Sequence, residues 1–364
     1  MAKRLIKIFS HTDLDGVGAP GLLMTVAKTM FPETDFDVSY IKAGTIDTEF
    51  EHWLHTDPNA ETATDVFIMD MTPDADYTFK LLNDQFANHW LVFDHHESEA
   101  QFRQKYGEQC VTPTDDQTLP SAASLAWDWL HRQPHFDQLT DKRKEELDYV
   151  VELIRAYDTW DWQNDPDMAD SERQDADDLD QLFWFYPKQH SAEFVQHLLA
   201  IGWPAYKDEN SLLIRTLNER REHYIKHHMK DEIDTEIDGH QFGVVYASSY
   251  VSEIGHRVLA ANPDLDAAMI LGPTGVSLRA DGKIDVAKLA GKYFNGGGHA
   301  NAAGGRLAHN PIKVGEQSFI DDLLAAVKNA KAEKKQPKTE SSSLGENLNP
   351  EMAAKLKAMF DNKK

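Results

Sequence analysis

The segment WLVFDHHE, residues 90–97, places one carboxylic acid and two adjacent imidazoles directly after a short apolar run. An apolar run of this kind, bounded by polar residues, is typical of a buried strand. Ionisable groups at the end of such a strand are costly to bury unless a metal ion or a mutual hydrogen-bond network compensates. Asp94, His95 and His96 therefore indicate either a metal site or a structural Asp–His hydrogen bond.

The first part of the chain alternates strand-like and helix-like segments. RLIKIF (4–9), VFIMD (66–70) and HWLVFD (89–94) are strand-like, while residues 21–31 and 77–86 have helical apolar spacing. This order predicts βαβ units and a parallel sheet, so the fold class is α/β. Ligands of parallel sheets bind outside the carboxyl ends of the strands, and the polar clusters of this chain follow those ends.

Composition limits the class of protein. The chain has 364 residues, a net charge of -24 and a single cysteine, Cys110. Its length predicts two domains, and one cysteine excludes an internal disulfide and a thiolate zinc cluster. The charge argues against long DNA as a partner. With no apolar run of bilayer length, we expect a cytoplasmic protein without membrane partners.

The segment SHTDLDG, residues 10–16, follows the first strand-like run. Alternate side chains of extended backbone point the same way, so His11, Asp13 and Asp15 can form a ligand set. Gly16 allows the tight turn and close backbone approach that such a loop needs. The alternative is a capping loop in which Asp15 or Thr12 accepts hydrogen bonds from the next helix.

Asp70 ends the second run, either as a cap of the turn before Pro73 or as a ligand beside the first cluster. Carboxylates with imidazole suit hard or borderline cations such as Mn²⁺ or Mg²⁺. His95 and His96 should face opposite ways in extended backbone, so one should ligate and the other face substrate. Asp94 would then fix a tautomer. Two cations sharing a carboxylate could clamp a phosphate and activate a water.

These motifs resemble those of the DHH phosphoesterases. SHTDLDG, Asp70 in IMDMTP, DHH at 94–96 and Asp158 in RAYDTWDW occur in the order of the four motifs of that family, and FNGGGHANAAGG (294–305) looks like the glycine signature of its DHHA1 domain. The match covers residues 5–165 and 240–308. The resemblance implies hydrolysis of phosphoanhydrides or phosphodiesters with two bound metals, usually Mn²⁺.

The resemblance also assigns roles to residues. It implies Asp70 as the bridging ligand and His96 as the contact to substrate phosphate, with the catalytic set Asp70, Asp94 and His96. His11 completes the candidate set, and Asp158 is preferred over the neighbouring Asp161 because it follows an apolar helical face. The metal ligands predicted in this way are His11, Asp13, Asp15, Asp70, His95 and Asp158.

The second domain carries the predicted substrate contacts. Gly296, Gly297 and Gly298 could expose consecutive N–H groups in an anion-binding nest, although an ordinary helix stop after KLAGKYF is the alternative. His299 and Arg279 could add charge-assisted hydrogen bonds to phosphate. By resemblance, this domain grips the nucleotide part of the substrate across an interdomain cleft.

The predicted domain organisation has four parts. A DHH catalytic domain spans 1–165, an acidic loop and helical linker span 166–238, a smaller α/β DHHA1 domain spans 239–330, and a flexible tail spans 331–364. The acidic run 164–181 is interpreted as a solvated loop. Within the tail, Met352, Leu356, Met359 and Phe360 predict a short terminal helix behind Asn349 and Pro350.

The resemblance favours phosphodiester hydrolysis, and the compact layout is similar to that of the DHH oligoribonucleases, the nanoRNase B group. We therefore expect a nuclease that trims short RNA to mononucleotides, with two divalent cations, Mn²⁺ or alternatively Mg²⁺. A cyclic or linear dinucleotide phosphodiesterase, or a 3'-phosphoadenosine 5'-phosphate phosphatase, is the enzymatic alternative. A nucleotide-binding regulator with an inactive site is the alternative from another class.

Overall fold

The computed structural model describes residues 4–96, 100–114, 118–310 and 315–333. The chain divides into two compact units, Met1–Glu219 and Arg220–Lys364. The predicted terminal helix at 350–362, and the predicted flexible tail from 334 onward, lie outside the described residues. In the described ranges, every helix is too short or too polar to cross a membrane.

The first unit begins with alternating strands and helices and continues with helices. Its strands are β1 (Arg4–Ser10), β2 (Thr34–Tyr40), β3 (Asp65–Met69) and β4 (Trp90–Phe93). Its helices are α1 (Leu14–Met30), α2 (Ile46–Thr56), α3 (Asp76–Phe86), α4 (Ala100–Lys105), α5 (Ala122–His131), α6 (Asp141–Asp158), α7 (Asp161–Asn164), α8 (Asp170–Phe185), α9 (Ser191–Ile201), α10 (Trp203–Glu209) and α11 (Ser211–His228), the last of which continues into the second unit.

The four strands form one parallel sheet in the order β2-β1-β3-β4. One face packs against α1, α5, α6 and α9, and the other face against α2 and α3. The predicted α/β fold with a parallel sheet is therefore confirmed. Strand β2 was not predicted, because its sequence TDFDVSY is polar and the strand lies at the sheet edge with half-buried side chains.

The prediction of a solvated acidic loop over residues 164–181 was wrong, because α8 covers most of it. Ala176, Leu179 and Phe183 recur at helical spacing and are buried, a signal that the many acids conceal. The acid Asp178 is only 2% exposed. Its Oδ1 accepts hydrogen bonds from Gln174 Nε2 and Asn218 Nδ2, both at 2.8 Å, which compensates for burial.

Helix α1 contains an internal proline, and a nearby side chain replaces the hydrogen bond that this proline removes. Pro20 has no N–H, so the carbonyl of Gly16, four residues earlier, has no helical donor. The hydroxyl of Ser10, which is fully buried at the end of β1, donates to that carbonyl. The side chain of the strand therefore replaces the missing N–H and connects the end of β1 to the first turn of α1.

We predict that Ser10→Ala lowers the free energy of unfolding by about 1–3 kcal/mol, because it leaves the Gly16 carbonyl buried without a donor. In a Pro20→Ala background the helix N–H is restored, so the cost of Ser10→Ala should fall clearly. Urea unfolding of the wild-type protein, both single variants and the double variant measures the coupling. Equal costs of Ser10→Ala in both backgrounds would refute the compensation.

The second unit contains a mixed sheet with a helix on each face. Its strands are β5 (Ile233–Ile237), β6 (His240–Tyr246), β7 (Ala267–Leu271), β8 (Gly275–Ala280), β9 (Gly297–His299) and β10 (Ala302–Arg306). Its helices are α12 (Val251–Ala261), α13 (Val286–Tyr293) and α14 (Glu316–Glu333). The strand order is β5-β6-β7-β8-β10-β9, and only β6 and β7 pair in parallel. Helix α12 packs on one face, and α13 packs on the other.

Candidate active site

The register of three parallel strands defines the position of the candidate site. Ser10 of β1 pairs with Met69 of β3, and Met69 pairs with Phe93 of β4. The three strands therefore end at the same level of the sheet, and the residue after each strand emerges at one edge. These following residues are His11, Asp70 and Asp94.

The first loop is held by the start of α1. Asp13 is the N-cap of that helix, and its Oδ1 accepts a hydrogen bond from Gly16 N at 2.9 Å. Its Oδ2 lies 2.6 Å from His11 Nδ1. A Cβ at Gly16 would lie 2.7 Å from the backbone of His11, so a glycine is required where the loop folds back. The loop therefore presents a carboxylate and an imidazole together.

Asp15 has a different neighbourhood, in the buried first turn of α1, where it is 2% exposed. Its two carboxylate oxygens accept hydrogen bonds from the backbone N–H groups of Ala122 at 2.6 Å and Ala123 at 2.8 Å, at the start of α5. Asp15 also approaches His95 and Asp158, with one ligand atom from each of the three residues within 4.8 Å of the others. The alternative in which Asp15 or Thr12 caps the next helix was wrong, because Asp13 is the N-cap of α1 and Asp15 accepts from α5 instead.

Asp70 lies between the two imidazoles of the site. Its carboxylate is 3.4 Å from His11 Nδ1 through Oδ2 and 3.5 Å from His95 Nε2 through Oδ1. The residue is 4% exposed and has φ of 57°, in the left-handed region. Such a backbone costs free energy and is concentrated at functional sites. In the described part of the chain, its carboxylate accepts no hydrogen bond from the turn before Pro73, so the turn-cap alternative has no support.

The two histidines of the third cluster have different carboxylate partners. Asp94 accepts a hydrogen bond from Thr72 Oγ1 at 2.5 Å, and its Oδ1 lies 2.7 Å from His96 Nδ1. His95 instead approaches Asp70 and the Asp158 carboxylate. The expectation that His95 and His96 face opposite ways was wrong, since β4 ends at Phe93 and the two rings have centroids 4.4 Å apart.

Asp158, the last residue of α6, brings a carboxylate into the same cluster. Its Oδ2 lies 3.1 Å from His95 Nε2. Asp161 has a different partner, because its Oδ2 accepts from Arg155 Nη1 at 2.6 Å. The geometry therefore favours Asp158 as the acid of the fourth motif.

The donor atoms are suited to divalent cations. Three overlapping groups have ligand atoms within 4.8 Å of one another: His11, Asp13 and Asp70; Asp70, His95 and His96; and Asp15, His95 and Asp158. Among the described residues, the buried atoms Asp70 Oδ2 and His95 Nε2 have no hydrogen-bond partner. Buried polar atoms are normally satisfied, and carboxylate and imidazole donors suit Mn²⁺ or Mg²⁺. The residues present therefore fit a pair of such cations.

Burial and the neighbouring charges shift the pKa values of the acids in the cluster in different directions. Burial, together with the neighbouring carboxylates, raises the pKa of Asp70 and of Asp158 well above the usual range of an aspartic acid. The hydrogen bond with Asp13 and the nearby carboxylate of Asp70 raise the pKa of His11 to about 10. Burial opposes ionisation of Asp13 as well, but its hydrogen bond with His11 lowers its pKa overall.

In the second unit, Arg279 on β8 is held against α12. Its Nη2 donates to Ser252 Oγ at 2.6 Å, and its Nη1 donates to the Leu278 carbonyl at 2.9 Å. A Cβ at Gly255 would lie 2.6 Å from Arg279 Cγ, so the glycine of α12 makes room for this side chain.

The glycine signature forms a hairpin at the edge of the second sheet. Gly297 to His299 are the edge strand β9, paired antiparallel with β10. A Cβ at Gly296 would lie 1.9 Å from the Gly304 carbonyl oxygen, so the two strands approach where only glycine fits. The anion-binding nest predicted at Gly296, Gly297 and Gly298 stays a prediction, with Gly297 and Gly298 in β9 and Gly298 at φ of 137°. His299 is exposed on this hairpin.

Comparison with known proteins agrees with this architecture. Residues 247–333 match the DHHA1 domain. The chain is 29% identical over 308 residues to oligoribonuclease NrnB of Bacillus subtilis (strain 168), covering 82% of this chain and 71% of that protein. A segment of 63 residues, 17% of this chain and 18% of that protein, is 44% identical to a 3',5'-cyclic-nucleotide phosphodiesterase of Helicobacter pylori.

Among solved structures, RecJ of Thermus thermophilus in complex with Mn²⁺ has the same fold. The TM-score is 0.51 at 14% sequence identity, and the match covers 99% of this chain and 57% of that one.

The chain is therefore similar to proteins of the DHH/DHHA1 family. The relatives named above are an oligoribonuclease and a 3',5'-cyclic-nucleotide phosphodiesterase. The family resemblance drawn from the sequence motifs is confirmed, and so is the predicted α/β fold with a DHHA1 domain.

Sequence reasoning missed two polar partners near the candidate site. Thr72 donates a hydrogen bond to the Asp94 carboxylate, and Arg155 donates one to the Asp161 carboxylate. Thr72 stands two residues after Asp70 in IMDMTP, so the sequence could have predicted its position near the sheet edge. The sequence could not have predicted its hydrogen bond to Asp94, which lies 22 positions later. Arg155 stands six residues before Asp161, so only the helical register of α6 and the turn after it bring them together.

We predict that cation binding to the candidate site releases protons and tightens as pH rises. The raised pKa values of His11, Asp70 and Asp158 mean that the empty site holds protons near neutral pH, and a cation must displace them. Affinity should rise up to about tenfold per pH unit for each proton released. Calorimetric titration with Mn²⁺ at two pH values, in buffers of different ionisation enthalpy, measures the release. Identical heats in all buffers would contradict the prediction.

We also predict that Asp158→Asn weakens Mn²⁺ binding more than about tenfold, the scale seen when even an outer partner of a ligand is removed. The matched variant Asp161→Asn should retain binding, because Asp161 engages Arg155. The rise in melting temperature with added Mn²⁺ reports affinity independently of turnover. Loss of that rise in Asp161→Asn, with retention in Asp158→Asn, would reverse the assignment.

Proposed function

We propose that the chain hydrolyses short RNA oligonucleotides to mononucleotides with the help of two divalent cations, Mn²⁺ for preference. The observation that carries the proposal is the position of Asp70, whose two carboxylate oxygens lie within 3.5 Å of two imidazoles from different strand ends. The 29% identity to oligoribonuclease NrnB along 308 residues supports RNA as the substrate class.

We assign two ligand sets around Asp70. His11 and Asp13 complete one set, and the other contains Asp15, His95 and Asp158. Asp70 belongs to both as the bridging ligand. The left-handed backbone of Asp70 and the strand register hold its carboxylate between them without movement of the chain.

A bound pair of cations would supply a clamp for the phosphate and activation of the attacking water. The side chains of the protein position the substrate phosphate. His96 is held through Nδ1 by Asp94, and we assign its Nε2 to a substrate phosphate. The hydrogen bond with Asp94 raises the pKa of His96 to about 9, so at neutral pH its Nε2 carries a proton to donate to that phosphate. Thr72 holds Asp94 in turn.

In the second unit, we assign contacts with the nucleotide to Arg279, Gly296, Gly297, Gly298 and His299. The planar guanidinium of Arg279 is held by α12, which suits charge-assisted hydrogen bonds to a phosphate. The exposed edge strand Gly297–His299 offers outward N–H groups without side chains at the glycines, together with the imidazole of His299. This arrangement can approach the backbone of a nucleotide closely.

Substrate length separates the proposed activity from its alternatives. The net charge of -24 gives no general attraction to long nucleic acid, which favours short substrates. The short match to a 3',5'-cyclic-nucleotide phosphodiesterase makes cyclic nucleotides the alternative to test. We therefore expect kcat/KM to be higher for an RNA pentamer than for a linear dinucleotide, a cyclic dinucleotide or 3',5'-cyclic AMP.

We predict that Asp70→Asn lowers kcat on a labelled RNA pentamer by about a thousandfold or more, because the stabilisation supplied by both cations depends on this carboxylate. Asparagine keeps the size and the left-handed backbone, so the fold should remain. The exposed Asp74 in the same loop provides the control, since Asp74→Asn should leave turnover unchanged. Full activity of Asp70→Asn with Mn²⁺, at unchanged circular dichroism, would end the proposal.

A further inference from the structure

A pair of exposed aromatic side chains ends helix α8. Trp184 is 52% exposed and Phe185 is 47% exposed, whereas the preceding Phe183 is 2% exposed and packs edge-on against Trp184 at 5.4 Å. Most aromatic residues of the first unit lie in its cores. Adjacent large apolar side chains on a surface are typical of a binding site.

A lysine connects this aromatic pair to the candidate active site. Lys188 Nζ lies 5.9 Å from the ring centroid of Trp184 and donates to Thr12 Oγ1 at 3.2 Å. Thr12 stands between His11 and Asp13, both of which offer a ligand atom to the same cation group. The ammonium group is therefore at the rim of the metal-binding loop, although 176 positions separate Lys188 from Thr12.

The surroundings of Lys188 make its position informative. The chain has 61 acidic residues and 37 basic residues, yet within the described ranges no carboxylate forms an ion pair with Lys188. The Lys188 ammonium group contacts the neutral hydroxyl of Thr12 beside an acidic site. Its charge can therefore bind an anionic ligand. A phosphodiester that enters the site carries such a charge on each nucleotide.

We propose that Trp184 and Lys188 form a nucleotide subsite, in which a base of the substrate stacks on the Trp184 ring and Lys188 binds a phosphate beside the one being cleaved. The inference rests on the proposed function and names where a further nucleotide of the substrate binds. An aromatic ring beside a cation is the usual combination for single-stranded nucleic acid, and it tolerates any base sequence. Phe185 extends the apolar surface beside the ring.

The subsite is tested by steady-state kinetics of the full-length protein with Mn²⁺. Trp184→Ala should raise KM for an RNA pentamer about tenfold or more, change kcat little, and leave KM unchanged for an abasic ribose-phosphate chain of equal length. Trp184→Phe should restore most of the loss. Leu212→Ala, which removes another exposed apolar side chain at 66% exposure, is the matched control.

Lys188→Gln should raise KM on both the pentamer and the abasic chain, and it should reduce the salt dependence of KM, because one phosphate contact is lost. Lys188→Arg should restore both. Lys142→Gln is the matched control, since Lys142 lies near the start of α6, about 24 Å along that helix from Asp158. Equal effects of Trp184→Ala on the pentamer and the abasic chain, or no effect, would overturn the stacking role.

A binding measurement separates failure of the subsite from failure of the proposed activity. Fluorescence anisotropy of labelled RNA pentamer is followed in the Asp70→Asn background with and without Trp184→Ala. Weaker binding with Trp184→Ala supports the subsite even if the wild-type protein turns over no RNA. Undetectable RNA binding by Asp70→Asn both with and without Trp184→Ala would overturn the proposed subsite. A changed oligomeric state in Trp184→Ala by light scattering, at unchanged RNA affinity, would assign the aromatic pair to a contact between copies and overturn it as well.

Discussion

The alignment of three parallel strand ends is the constraint on which the candidate site depends. Parallel strands in register must release their following residues at one level, so Ser10, Met69 and Phe93 determine where the next side chains emerge. A shift of β3 by one residue would turn Asp70 to the other face of the sheet. The packing on both faces of the sheet resists such a shift, and core packing therefore controls the spacing of the polar groups.

Electrostatics then distinguishes the acids that this alignment assembles. Asp13 accepts a backbone N–H at the start of α1 and pairs with His11, which favours its charged form. Asp15 accepts two N–H groups of α5, but burial still raises its pKa. Asp70 and Asp158 have less compensation, so they accept protons in the absence of a cation. A helix terminus can offset part of the cost of assembling carboxylates, and a cation must offset the remainder.

The sequence predicted the parts of this structure that short-range patterns determine. Buried strands followed at once by acids and imidazoles predicted both the sheet and its polar edge, since period and position along the chain carry that information. Two partners were not predictable: the bond from Thr72 to Asp94 depends on the folded arrangement of separate segments, and the bond from Arg155 to Asp161 depends on the turn that follows α6. The local backbone also differed from the prediction at two places. Strand β4 ended before His95 and His96, and a strand formed at Gly297 where none was predicted.

Helix α8 shows why composition alone misled the prediction and why its surface is informative. The helix buries Asp177, Asp178 and Asp180 while it exposes Trp184 and Phe185, which inverts the usual distribution of polar and apolar side chains. Burying an acid is tolerated when donors such as Gln174 and Asn218 satisfy it, so the inner face has a structural explanation. The outer aromatic pair has no comparable one, since exposure of apolar surface to water stabilises nothing. Violations of a local rule without a structural gain are expected where function requires them, and this one lies at the helix end nearest to Lys188, which contacts the loop of His11 and Asp13 through Thr12.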